Sequence, residues 1–435
     1  MNKNLDNSYN QKIANIFFYI LPLLMLLGPA IVNISLLIIF IISLKSIKKI
    51  IYNLDYFYLI LLVFWTYITF LSFFSDNVLL SLKTSFSQIK FYGILIFLFI
   101  YLDLKKKDVQ NKALFFWSII ILFVCLDTNF QKVNGLDLFG YNAEGYYYDV
   151  GKLFLSKEKI QELSKIGISL EINRLSGPFG SELIVGAYLA KVSPFLFYYI
   201  LENYNKISFK LKFFCYSLVT LVLQTIFISG ERTSFIIISI LFISTLTILH
   251  YKNLVKLFII FVIIILSLTQ ISSKFENNRY KEFFQIVKDY NESSYGRLAN
   301  SAIRIFSQNF LFGVGLKGYR IECNKLVNNN TDNPHPQCSN HPHNSILEFL
   351  SETGIVGFIL FVTFLISIYR KIYLNYKIYS TNKPFLISSN IIFLILPSIY
   401  FLPFLPNGSF FTTWNGLFFW FSLGCALSLI KKPIS

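Results

Sequence analysis

The stretch SNHPHNSILEFLSETGIVG, residues 339–357, sets His341 and His343 one residue apart in a chain that has 4 histidines. A neutral imidazole takes up a proton near pH 7, so the pair suits general-base work or metal ligation. His335 and Cys338 add metal-capable side chains. The spacings match none of the familiar zinc patterns, however, and Pro334, Pro336 and Pro342 make the stretch stiff. His343 and Asn344 directly precede a helical pattern in which Ile346, Leu347, Phe349 and Leu350 are apolar, while Asn344, Glu348 and Glu352 recur on one face. That arrangement either caps the start of a helix or aims an imidazole outward with carboxylates nearby. Arg174 in NRLSGPFGSE, Arg232 in SGERTSF and Arg297 in YGRLANS offer planar, permanently charged forks of the kind that hold phosphate groups. Taken singly, each arginine is most simply a paired or snorkelling side chain. GVGLKG, residues 313–318, fits G-x-G-x-x-G, but no strand pattern precedes it and no clear helix pattern follows it. It reads as a turn, with Lys317 and Arg320 adding to an anion surface.

The elements that must position these groups follow from composition. With 435 residues, 54% hydrophobic, 14% charged and 48 Phe, the chain reads as an all-α integral membrane protein. Its charges cluster between apolar blocks, each of which must close its backbone hydrogen bonds internally as helix. Blocks fall near 13–28, 30–44, 56–74, 85–102, 113–126, 178–201, 211–229, 234–249, 254–271, 344–369, 384–402 and 413–430, giving about twelve transmembrane helices. The first two are short and meet at Gly28-Pro29, so a hairpin of tilted helices is the alternative there. No small-residue cleavage pattern follows the first block, so a cleaved signal peptide is not expected.

Lysine fixes the expected orientation. With the N-terminus cytoplasmic, Lys45, Lys48 and Lys49, Lys105 to Lys107, Lys206, Lys210 and Lys212, Lys252 and Lys256, Arg370 and Lys371, and Lys431 and Lys432 all fall on the cytoplasmic side. Both termini are then cytoplasmic. Two long loops, 127–177 and a partly helical 272–343, lie on the exported side with nearly balanced charge. The net charge of +16 is accounted for by the cytoplasmic loops and calls for no nucleic-acid partner. Arg174, Arg232 and Arg297 all fall at the exported face, where a set of three suits an anion. Cys125, Cys215 and Cys425 lie in or beside apolar spans as packing residues. Cys323 and Cys338 share the second exported loop, where an oxidising compartment allows a disulfide; free thiols or metal ligation are the alternatives. A transporter would need substrate groups at the midplane and recognisable halves. Charges inside the spans are few, chiefly Lys90 and Lys191, and no repeat of 170–250 is evident. The tyrosine-rich YNAEGYYYD, residues 141–149, suits sugar stacking or interfacial anchoring.

HPHNSILEFLSETGIVG resembles the signature of the O-antigen ligase and O-antigen polymerase family of bacterial envelope proteins, in which His-Asn precedes Gly-x-x-Gly. Here these are His343-Asn344 and residues 354–357. RLSGPFGSE, SGERTSF and FLFGVGLKGY resemble other segments of that family, so the resemblance covers about 170–370 of a single polytopic domain, 1–435. It implies a metal-independent glycosyltransferase of the bacterial inner membrane, without cofactor and with its site at the periplasmic face. The implied donor is a glycan on undecaprenyl pyrophosphate. The acceptor is lipid A core for a ligase, the reading slightly favoured, or a lipid-linked repeat unit for a polymerase. His343 would activate the acceptor hydroxyl, and Arg174, Arg232 and Arg297 would hold the pyrophosphate. His341, Asn344, Glu348 and Arg320 are the accompanying substrate-binding candidates.

Overall fold

The computed structural model describes residues 2–44, 56–141, 174–250, 288–329, 337–379, 385, 388–403 and 405–430. Among them the protein is helical, with no β-strand. The helices are α1 (Asn2–Leu26), α2 (Pro29–Leu44), α3 (Tyr56–Leu71), α4 (Val78–Ser87), α5 (Ile89–Tyr101), α6 (Lys107–Asn134), α7 (Val185–Val192) and α8 (Pro194–Asn203). They are followed by α9 (Phe209–Ile228), α10 (Arg232–His250), α11 (Ser294–Gln308), α12 (Tyr319–Asn329), α13 (Ser345–Tyr379), α14 (Ile392–Ile399) and α15 (Thr413–Leu429).

Among the described residues, six segments are long and apolar enough to cross a membrane: Tyr56–Phe74, Val78–Tyr101, Lys107–Asn134, Phe209–Ile228, Arg232–Leu249 and Ser345–Ile378. α2 and the stretch Ser389–Ile399 are apolar but shorter. The block expected at 178–201 is instead two short helices, because Pro194 supplies no N–H to carry α7 onward and starts α8. α6 outruns its apolar block at both ends, since helical hydrogen bonding continues through polar turns that bury Asp127, Thr128 and Gln131. The span expected at 254–271 lies outside the described residues. So do 142–173 of the first loop, including most of the tyrosine-rich stretch, 272–287 of the second, and His335.

The chain forms two compact units: residues 1–17, 27–106 and 284–435, and residues 18–26 and 107–283. In the first, α15 packs on α5, α2 on α5, and α13 on α3. Nearly all of α15 is buried, as expected of a helix apolar on every face. Phe349, Phe361, Phe410, Phe419 and Trp420 form an aromatic layer, with Phe349 and Phe361 centroids 4.4 Å apart and those of Phe410 and Phe419 4.9 Å apart. Each such pair adds about 0.5–1.5 kcal/mol beyond its buried area. Lys90 donates to Asn33 Oδ1 at 2.7 Å, a partner within the same unit.

α11 and α12 form a small cap on this unit. Ser293 caps α11 by accepting from Gly296 N at 3.1 Å, and Leu298, Ala302 and Ile305 line its buried face. Ala302 and Ile305 meet Tyr319 and Cys323 of α12 in a separate core, against which Val314, Cys338 and Leu347 pack. A disulfide joins Cys323 to Cys338, so the segment leading to the two histidines is covalently tied to α12.

In the second unit, Gln131 at the end of α6 grips the chain just after Arg174. Its Oε1 accepts from Ser176 N at 3.0 Å and Gly177 N at 2.8 Å. Leu175 N donates to Ser229 O at 3.3 Å, which brings the two segments carrying Arg174 and Arg232 side by side.

Candidate active site

α13 is broken about two and a half turns below its start. Gly354 has φ 65° and ψ −176°, a conformation open essentially to glycine alone. The break frees backbone groups that the apolar surroundings would leave unpaired, and the segment before α12 takes them up. Val314 N donates to Ser351 O at 3.0 Å and Gly315 N to Glu352 O at 2.9 Å, while Ile355 N donates to Phe310 O at 2.9 Å. The G-x-G and G-x-x-G stretches are therefore one structure: a Cβ on Gly313 would lie 2.5 Å from Gly354 N. The turn reading of residues 313–318 holds, but a helix does follow it. α12 is polar and short, which hid its period from the sequence.

That docking brings Lys317 over the first turns of α13. Its φ of 63° is left-handed, and its side chain is buried. Lys317 Nζ lies 3.6 Å from Glu348 Oε1 and hydrogen-bonds Ser409 Oγ, which in turn donates to Glu348. Phe410 N donates to Glu348 Oε2 at 2.7 Å. Both Glu348 oxygens are thus engaged inside the protein, and Lys317 is a buried ion-pair partner rather than part of an open anion surface. Glu352, one turn further on, is fully buried. Removing one member of a buried pair costs about 3–5 kcal/mol, because the other charge is left uncompensated. Lys317→Met and Glu348→Gln should each sharply shorten the survival of the detergent-solubilised protein on heating. Combined, they should cost less than the sum, since the second change removes the stranded charge.

Above this pair sit the histidines. Asn344 caps α13, its Oδ1 accepting from Leu347 N at 3.1 Å. His343, just outside the helix, has φ 54°. Few residues other than glycine adopt that region, with Asn, Asp and His the usual exceptions, and such conformations gather at functional sites. The His343 ring lies 4.1 Å from that of His341 and 6.0 Å, edge-on, from that of Tyr295, with Nε2 at 3.3 Å from Ser339 Oγ. Burial, and then the neighbouring His341, push the His343 imidazole down to about 4. Burial and then Lys317 do the same for His341, also to about 4. Both rings are neutral at pH 7.

The sign of the pH effect follows. Between pH 6.5 and about 4 the unfolded chain binds protons at these positions that the folded chain does not. Stability contributed here is fully present above the upper limit and falls as pH drops through the window. Thermal denaturation in detergent between pH 7 and 4 should show this loss, and His341→Gln should reduce it.

Of the arginines, Arg297 on α11 is half-buried and its Nε donates to Gln337 Oε1 at 3.4 Å. Arg320 on α12 is half-buried, its Nε has no hydrogen-bond partner among the described residues, and its charge acts on His341. Both belong to the unit that carries His343. Arg174 and Arg232 belong to the other, where Arg174 Nη2 donates to Leu183 O at 2.7 Å. Glu231 accepts there from Gly186 N at 2.7 Å and Ala187 N at 2.9 Å. Burial raises its carboxyl group above the usual range, against the pull of Arg174. Sequence reasoning missed residues 405–410, which supply Asn407, Ser409 and Phe410 to the site. Their only signal was a turn-rich LPNGS between two apolar blocks.

The molecule is thus a polytopic helical membrane protein with two neutral imidazoles and two arginines in one of its units. A family model described as O-Antigen ligase matches residues 217–362, so that stretch is similar to the family the model describes. The match takes in Arg232, Arg297, Lys317, both bridged cysteines and the two histidines; it leaves out Arg174 and residues 405–410. The family that the model describes implies glycosyltransferase-type activity on lipid-linked glycans and a bacterial membrane location. No curated protein matches the chain.

Proposed function

We propose that the protein is a periplasmic-face glycosyltransferase of the O-antigen ligase type, taking a glycan from undecaprenyl pyrophosphate and passing it to a sugar hydroxyl of lipid A core. The observation that carries this reading is His343, a neutral imidazole held in a left-handed backbone conformation at the start of the family's signature helix. Its free nitrogen takes the acceptor's proton as that oxygen attacks the anomeric carbon. The carbon–oxygen bond to the pyrophosphate breaks with its electron pair leaving on phosphate, and configuration inverts. Arg297 and Arg320, on the two cap helices, offset that charge. On the family resemblance, Arg174 and Arg232 are assigned to the same anion, and His341 and Asn344 stand beside the acceptor. The second loop, 272–343, supplies the base, and the lysine-rich loops face the cytoplasm.

The test is transfer of labelled glycan in membrane vesicles, paired with the electrophoretic pattern of surface lipopolysaccharide in a deletion strain. Bare core with long glycan accumulating on the carrier lipid fits the ligase. Core bearing a single repeat unit and no ladder would make the chain a polymerase using the same base. An unchanged pattern with no transfer would sink both. The rate should stay level from pH 8 down to about 5 and fall only as pH approaches about 4, where His343 protonates. An acid limb near 6.5 would remove His343 as the base.

A further inference from the structure

Residues 405–410 lie outside the family match, yet they reach His343 through Asn407. Asn407 N donates to His343 O at 2.8 Å. The Asn407 side chain is held on both sides, with Oδ1 accepting from Ser345 Oγ at 3.1 Å and Nδ2 donating to Tyr400 O at 3.1 Å. Two residues on, Ser409 and Phe410 are clamped by the Glu348 carboxylate of α13. One residue thus reaches the histidine's backbone and the first residue of its helix.

We infer that Asn407 is a positioning residue that holds the left-handed backbone of His343, so that the imidazole stays aimed at the acceptor. A fixed N–H on the His343 carbonyl, anchored through the Asn407 side chain to the first residue of α13, sets the direction in which the ring leaves the backbone. Ser339 Oγ, 3.3 Å from Nε2, is a hydroxyl in the place an incoming sugar hydroxyl would take. The Lys317–Ser409–Glu348 cluster acts through Asn407: it fixes the segment that fixes the imidazole. This inference rests on the reading of His343 as the base.

The experiment uses the full chain in membrane vesicles. Asn407→Ala should lower kcat about tenfold to a hundredfold, as loss of an orienting partner does elsewhere, while KM for the lipid-linked donor stays within about twofold. Its acid limb should move up towards the ordinary histidine range as water reaches the loosened ring. Asn407→Asp, which keeps the acceptor for Ser345 Oγ, should recover part of kcat. Ser345→Ala, a gentler change should Asn407→Ala fail to fold, should shift the limb the same way with a smaller drop. Normal kcat in Asn407→Ala, or a drop with an unmoved pH limb in both variants, would overturn the inference. Full activity in His343→Asn would instead defeat the base reading itself, so the two failures are separable.

Discussion

Replacing His343 with asparagine should abolish transfer while leaving the protein folded. Asparagine tolerates the left-handed conformation that His343 adopts at φ 54°, so the backbone link to Asn407 and the start of α13 survive. What disappears is the group proposed to accept the proton, and loss of a positioned general base costs about a hundredfold to ten-thousandfold in rate. Alanine is the poorer choice, because it adds about 1–2 kcal/mol of left-handed strain to the chemical loss. The measurement is single-turnover transfer by purified protein in proteoliposomes, with folded protein quantified by gel filtration. Retention of more than about a tenth of the rate in His343→Asn would show that the imidazole does not do the proton transfer.

Gly354→Ala should act through structure, and harder than any ordinary alanine substitution in a helix. A Cβ there would sit 2.3 Å from Leu311 O, against backbone that cannot rotate aside, at φ 65° where a side chain is strained in any case. Strain of about 1–3 kcal/mol is compounded by separation of the two backbones, which would strand donors and acceptors in apolar surroundings. The fraction recovered as a monodisperse peak after extraction should fall to near zero. Ile359→Ala, at a side chain 55% exposed on the same helix, should leave it unchanged. Equal recovery of the two variants would mean that the 310–315 segment does not depend on the break.

How much of this was legible in the sequence varies by element. Apolar runs announced the helical membrane class and most long helices, because burial in hydrocarbon leaves a compositional trace. They did not announce the split between α7 and α8 or the break in α13, since a broken helix keeps the composition of a whole one. His343 stood out by type and spacing. The employment of Glu348 did not: four-residue spacing put it on a face with Asn344, but only tertiary structure shows that face turned towards Ser409 and Phe410, 61 and 62 residues along the chain. Lys317 was misleading for the same reason, because a lysine in a glycine-rich turn reads as exposed until its buried carboxylate partner is seen. Arg174 and Arg232 were found through their segments, and what the fold adds is that those segments are neighbours.

The order of synthesis gives residues 405–410 a consequence of their own. The signature stretch is translated well before them, so during biogenesis His343 and α13 are threaded into the membrane without the backbone partner or the clamp that later hold them. A chain interrupted near residue 400 would display the whole family signature and still lack Asn407, Ser409 and Phe410. On the proposed function, the imidazole is aligned only after residues 405–410 have been made, and a chain stopped short of them holds the signature without its positioning partner.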